Sequence, residues 1–164
     1  ITRENIAGLL LQDENAFAPC TAEAVMQLCK HFEIPLAGKE VCIIGRSLVV
    51  GKPLAILMLN QNATVTVCHS KTENIKEVCK RADVLVAAIG RAKAIGSSYC
   101  KEGATVIDVG INVDEEGNLC GDVDFDTMKT VADKLTPVPG GLGLVTTAVL
   151  AQHLVRAYQL LEEK

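Results

Sequence analysis

Four short strand-like segments, beginning at positions 41, 64, 84 and 105 and apolar throughout at 41–45 and 84–89, restrict the fold of this chain more than any other feature of its sequence. They are Val41–Gly45, Thr64–Cys68, Val84–Ile89 and Thr105–Val109. A strand that is apolar along its whole length has no face to offer water, so it belongs in a sheet covered on both sides. The segments between the runs have helical periodicity. Val25, Leu28, Cys29 and Phe32 fall on one face of 21–32, with Thr21 as its expected N-cap. Leu54, Leu57 and Met58 follow Pro53, a residue suited to a first helical turn. Ile75, Val78 and Cys79 follow Thr72, a second expected cap. Strands alternating with amphipathic helices predict an α/β, Rossmann-like doubly wound, mostly parallel sheet with helices on both faces.

The rest of the chain fits around that frame. Thr2 is placed to cap a short helix carrying Ile6, Leu9 and Leu10, and 12–19 reads as loop. Residues 1–20 are expected to be the remnant of a preceding domain and a linker, and 21–164 the sheet domain itself. Ser97–Cys100 reads as a short helix. Asn112–Asp114 and Asn118–Gly121 flank Glu115-Glu116-Gly117 as a small hairpin. Asp124 or Asp126 caps a short helix, Lys134–Val138 is a last strand, and a long helix with Val145, Val149, Leu154 and Tyr158 among its apolar positions ends the chain.

A net charge of −4 gives no reason to expect nucleic acid as a partner. No apolar run approaches the roughly 20 residues that span a bilayer. The seven cysteines form no CxxC pair, so they read as reduced, mostly buried thiols of a cytosolic or organelle-matrix protein, without metal-ligand spacing.

Ligands of an open parallel sheet bind beyond the carboxyl ends of the strands. After the first strand, Gly45 and Gly51 bracket a turn that leads straight into a helix N-terminus, where backbone N–H groups favour phosphate. Arg46 and Ser47 add a guanidinium fork and a hydroxyl; the alternative is a plain turn with a surface arginine. The second strand ends Cys68-His69-Ser70-Lys71-Thr72, with no carboxylate before Glu73. An acid there would hold the ribose 2′-OH of NAD, so Ser70 and Lys71, with Arg46 nearby, favour NADP over NAD. His69 reads as structural. After the fourth strand, Gly110 would let backbone pass a flat ring, and Ile111 could offer main-chain groups to the nicotinamide side. Asp108 reads as structural, with a catalytic role as the alternative. Pro137-Val138-Pro139-Gly140-Gly141-Leu142-Gly143 reads as a ligand-binding loop opening onto a helix whose first turn carries Thr146 and Thr147. No GxSxG elbow, Walker lysine or metal-spaced histidine set is present.

The motifs in order are Pro19-Cys20-Thr21, Gly45-Arg46-Ser47, Val50-Gly51-Lys52-Pro53, Ala63-Thr64-Val65, His69-Ser70-Lys71-Thr72, Ala82-Asp83, Ile107 to Asn112, Gly121-Asp122-Val123 and 136–143. With them the chain resembles the C-terminal, cofactor-binding domain of the methylenetetrahydrofolate dehydrogenase/cyclohydrolases, the FolD-type family. The resemblance implies that Gly45, Arg46, Ser47, Ser70 and Ile111 contact NADP. It implies that Pro137, Gly140, Gly141 and Gly143 face the folate substrate. The reaction implied is oxidation of 5,10-methylenetetrahydrofolate to the methenyl form, with cyclohydrolysis to 10-formyltetrahydrofolate in many members. The family's catalytic lysine and tyrosine belong to an N-terminal catalytic domain, so no catalytic residue is assigned here. A homodimer is a further implication; the reduced cysteines point to a cytoplasmic location, with the mitochondrial matrix as the alternative. One departure stands out: the family commonly reads Gly-Pro-Met-Thr where this chain has Gly143-Leu144-Val145-Thr146. That difference keeps open a catalytically silent dinucleotide-binding or interaction domain. A dinucleotide-sensing domain is weaker, because sensing needs no second ligand wall.

Overall fold

The alternation of side chains along the central strands sets the architecture. In β1 (Glu40–Ile44), Val41 and Ile43 point to one face and Cys42 and Ile44 to the other, and all four are buried. The first pair packs under the helices α2 (Cys20–His31), α3 (Gly51–Asn60) and α6 (Leu142–Glu162), with Val25, Leu54, Met58 and Val149 fully enclosed. The second pair packs under α4 (Ile75–Cys79), a 3-10 turn at Ser97–Tyr99 and α5 (Phe125–Met128). Each enclosed Leu, Ile or Met contributes roughly 2 kcal/mol relative to exposure. The computed structural model describes residues 1–162; the last two positions of the expected 21–164 domain lie outside the described residues.

The remaining strands are β2 (Thr64–Cys68), β3 (Val84–Ala87), β4 (Thr105–Asp108), the short β5 (Asn112–Val113) and β6 (Leu119–Cys120), and β7 (Lys134–Leu135). The main sheet has five strands in the order β2-β1-β3-β4-β7, all parallel. Ile44 lies opposite Cys68 on one side and Ala87 on the other, and Ala87 lies opposite Asp108. Four strands therefore release the chain at the same level along one edge. After β2 the chain crosses β1 to build β3 on its far side. The topological switch therefore lies between β1 and β3, the point at which open α/β sheets bind ligands in a crevice beyond the strand ends. The expected doubly wound sheet is present, and β5 and β6 pair antiparallel as the expected hairpin.

Helix α1 (Arg3–Leu11) is capped by Thr2, whose hydroxyl accepts from the Asn5 N–H at 3.3 Å, as expected. It lies against α3, where Asn60 Nδ2 donates to the Leu9 carbonyl at 3.0 Å. Asp124 caps α5 through the Thr127 N–H, also as expected.

Several local expectations fail for identifiable reasons. Helix α2 begins one residue before Thr21, behind Pro19, and has no side-chain cap. Thr72 does not cap α4: its hydroxyl accepts from the His69 N–H at 2.9 Å, and Asn74, in left-handed backbone, precedes the helix. Phe32 follows α2 instead of belonging to it and is mostly exposed, as are Leu154 and Tyr158 on α6. The period was right in both helices, but the apolar stripe extends past the surface the sheet covers. Strand β7 is two residues long; beyond it the Thr136 N–H still donates to the Val106 carbonyl at 3.1 Å, while the Thr136 hydroxyl, not a backbone carbonyl, accepts from the Asp108 N–H at 2.7 Å.

At the opposite edge Asp83 ties three elements together. Its carboxylate accepts from Lys101 Nζ at 2.7 Å and from the Glu40 N–H at 3.1 Å. Lys101 first, and then the Glu40 amide, hold its carboxyl below the ordinary carboxylate value. A depressed carboxylate pKa stabilises the fold above the unfolded-state value, and that contribution fades as pH falls through the folded-state value. Asp83→Ala is expected to cost about 1 kcal/mol at neutral pH, with the gap from wild type closing in acid. Denaturant titrations of both proteins across that range check it; a gap independent of pH would assign the loss to packing.

Candidate functional site

The corner after β1 begins at Gly45, whose N–H donates to the Cys68 carbonyl at 2.8 Å and whose φ is +130°. A Cβ there would strike the Ala88 carbonyl oxygen, so the exits of β1 and β3 touch backbone to backbone. Ser47 closes the turn: its hydroxyl accepts from the Val50 N–H at 3.1 Å, and its carbonyl accepts from the Lys52 N–H at 3.0 Å. None of Arg46, Ser47, Leu48 and Val49 donates its backbone N–H to another described residue. Helix α3 follows immediately, and its N-cap, Val50, supplies no side-chain acceptor. Free amides, a helix N-terminus and the exposed Arg46 make this corner a seat for an anion. Gly51 serves the turn itself, since a Cβ on it would meet the Gly45 carbonyl, not a ligand.

The exit of β2 lies beside it. His69 is structural, as expected: its Nδ1 accepts from the Lys71 N–H at 3.1 Å, while its carbonyl accepts from the Thr72 N–H at 2.9 Å. That tight turn leaves Ser70 and Lys71 exposed next to Arg46, because β1 and β2 leave the sheet in register. The first acid beyond β2, Glu73, lies past the turn.

On the other side of the crevice, two buried aspartates hold the backbone. Asp122 accepts from the N–H groups of Ile89, Gly90 and Arg91 at 2.6, 3.1 and 2.8 Å, and from Asn112 Nδ2 at 2.9 Å. Asp108 accepts from the N–H groups of Gly110, Asp122 and Val123 at 2.9, 3.0 and 2.9 Å. Burial pushes the Asp108 carboxyl above its ordinary value, against the pull of those three donors. The β3 exit amides are thus consumed internally, whereas those of Arg46 to Val49 at the β1 corner are free of protein acceptors among the described residues. Asp108 is a structural aspartate, as expected. Gly110, expected to pass a flat ring, instead makes room for the Asp122 carboxylate, which a Cβ would hit. Asp122 was the residue that sequence reasoning undervalued. The only signal was the Gly121-Asp122-Val123 run, which carries no recognisable spacing.

A cleft of about 350 Å³ opens beyond β4 and β7. Ile111, Pro137, Gly140, Gly141 and Gly143 all line it, so the structure brings the expected nicotinamide-side residue and the expected substrate loop into one cavity. Ile111 is 66% exposed, and its Cδ1 lies 3.9 Å from where a Gly143 Cβ would sit. Gly140 has φ +96° with nothing around it. Gly141 is internal to the loop, packed on the Pro137 carbonyl. Thr146 and Thr147 turn their hydroxyls back to the Leu142 and Gly143 carbonyls at 3.2 and 3.5 Å, so they do not face an anion. The Leu144 N–H donates to the Gly141 carbonyl at 3.4 Å, a bond that proline at this position would lack. Among the described lining residues the only ionisable group is Asp108, already held by three amides. The cleft offers walls and backbone groups, not acid–base chemistry.

The described edge therefore runs from a polar corner at β1 and β2 to an apolar cleft at β4 and β7. A profile of the tetrahydrofolate dehydrogenase/cyclohydrolase NAD(P)-binding domain matches residues 19–162. The bifunctional protein FolD of Carboxydothermus hydrogenoformans is 54% identical over 163 residues, covering 98% of this chain and 57% of that protein. Its counterpart in Clostridioides difficile is 53% identical over 160 residues, covering 98% and 56%. The crystal structure of the Campylobacter jejuni enzyme, a FolD methylenetetrahydrofolate dehydrogenase/cyclohydrolase, superposes with a TM-score of 0.93 at 43% identity, over 96% of this chain and 56% of that one. The Trypanosoma brucei FolD, complexed with NADP cofactor and inhibitor, superposes with a TM-score of 0.91 at 35% identity, over 99% and 58%.

Proposed function

This chain belongs to the tetrahydrofolate dehydrogenase/cyclohydrolase family as its NAD(P)-binding domain, and from that premise we propose that it carries NADP for the oxidation of 5,10-methylenetetrahydrofolate to 5,10-methenyltetrahydrofolate. It spans 57% of the length of the Carboxydothermus relative, and a further domain supplies the acid–base groups and the cyclohydrolase step. Bound NADP supplies the hydride acceptor. The chain's own residues position the two reactants. Arg46 and Ser70 take the 2′-phosphate, and the free amides of 46–49 with Gly45 and Ser47 take the pyrophosphate. Ile111 borders the nicotinamide. Pro137, Gly140, Gly141 and Gly143 form the wall against which the folate lies. The family's assembly as a homodimer extends to this chain under the same reading.

The observation that carries the choice of NADP is the pairing of an exposed Arg46 with a β2 exit that has no carboxylate before Glu73. An acid at that point would repel a 2′-phosphate; here a guanidinium and a hydroxyl face it. Arg46→Ala is expected to weaken NADP about 30-fold, equivalent to about 2 kcal/mol for a charge-assisted contact, and to leave NAD nearly unchanged. Titration of both dinucleotides against the purified proteins decides it: equal losses for the two would remove the 2′-phosphate role. NADPH formation from methylenetetrahydrofolate by the full-length protein tests the reaction. Its absence, with NADP binding intact, would favour the silent binding domain.

A further inference from the structure

Beneath the dinucleotide corner, three thiols meet. Cys42 on β1, Cys68 at the end of β2 and Cys79 at the end of α4 have their sulfurs within 4.8 Å of one another. Cys42 Sγ lies 3.6 Å from Cys68 Sγ and 3.6 Å from Cys79 Sγ. All three are almost completely buried, at 1%, 0% and 0% exposure. The sequence separations gave no sign of this, because a strand, its neighbour and a helix bring the residues together.

The geometry points to a binding site for a trivalent thiophilic ion, arsenite being the representative, held as a neutral three-thiolate complex. Charge decides among the soft ions. The cluster sits among Ile44, Leu85, Ala87 and Val106, and Arg81, the cation whose charge acts on Cys42, is exposed. Three thiolates around a monovalent copper ion would bury two net negative charges, and around zinc one, with no buried partner to offset them. Zinc also requires a fourth ligand, and the cluster of described residues supplies three. A trivalent centre leaves no net charge.

The reaction balances without an oxidant. Arsenous acid and three thiols condense to one arsenic–sulfur triad and three waters. Each S–H proton leaves with a hydroxide, three As–O bonds break, and three As–S bonds form. Burial favours the protonated thiol at Cys68.

A disulfide is a poorer fit across the strands. Cys42 lies opposite Thr66 and Cys68 opposite Ile44, a two-residue offset along parallel strands. Strand spacing and rise put their Cα atoms about 8 Å apart, beyond the ~7 Å that a disulfide spans without backbone movement. A bridging atom closes the gap between these sulfurs where a direct bond does not. Entry follows opening of α4, the helix of five residues that carries Cys79.

The test uses the purified, reduced chain titrated with arsenite. Intact mass is expected to rise by one arsenic less three hydrogens, with three thiols lost to a thiol reagent after rapid denaturation. Cys79→Ala and Cys42→Ser are each expected to abolish that adduct, while Cys29→Ala and Cys120→Ala leave it intact. Cys79→Ala lies on the peripheral helix and keeps the test informative if the strand variant fails to fold. An adduct that consumes only two thiols, that survives Cys79→Ala, or that never forms overturns the proposal.

Discussion

Asp122→Ala is expected to lower the unfolding free energy by about 4 kcal/mol and the thermal midpoint by roughly 10 °C. The carboxylate is fully buried and accepts four hydrogen bonds, three from consecutive backbone amides after β3 and one from Asn112. Removing it leaves those donors with neither a protein acceptor nor room for bulk water. The loss exceeds that of an exposed ion pair because each orphaned amide carries its own desolvation cost. Asp122→Asn retains one acceptor oxygen but turns an NH₂ group toward amides, so it is expected to recover only part of the loss. Because residues 88–91 form one wall of the crevice, dinucleotide affinity should fall with stability. Thermal unfolding of the three proteins, with and without NADP, measures both. A loss below about 1 kcal/mol for Asp122→Ala would mean that water replaces the carboxylate and that the aspartate is not the anchor of this wall.

Gly45→Ala acts through backbone, not a lost contact. At φ +130° any L side chain is strained, and the added methyl meets the Ala88 carbonyl oxygen. Neither the β1 exit nor the β3 exit can retreat easily, since Gly45 donates to Cys68 and Ala88 donates to Ile44, both at 2.8 Å. The expected cost is about 3 kcal/mol of stability. Dinucleotide affinity should drop at least roughly tenfold, because the amides of 46–49 move with the turn. Calorimetric titration with NADP checks the second effect. Unchanged affinity in a folded Gly45→Ala protein would place the phosphate elsewhere.

The parallel sheet was legible because burial on both faces writes itself into the strands: Val84 to Ala87 are all apolar and all buried. Thr2, Asp124 and the hairpin around Glu115-Glu116-Gly117 were legible because capping and turns act within a few residues. The polar corner was legible for the same reason, since Gly45, Arg46 and Ser47 are consecutive. The limits of the other helices were not, because α2 and α4 begin behind Pro19 and Asn74, neither of which makes a side-chain cap, instead of behind Thr21 and Thr72. Nor was Asp122, whose partners lie 10 to 33 residues away. The same holds for Gly110, whose reason for being glycine is that distant carboxylate. A side chain that works across long separations leaves no periodicity to read.

The packing of α2 against α6 bears on the order in which the chain becomes useful during synthesis. Gln27 Nε2 donates to Gln152 Oε1 at 2.8 Å across a separation of 125 residues, and Glu23 meets His153 at 2.7 Å across 130. A nascent polypeptide exposes β1, α3, β2 and β3 long before those partners leave the ribosome, so the polar corner emerges well ahead of the apolar cleft. Any dinucleotide that engages the unfinished half stabilises it by mass action while its last helix is still being made.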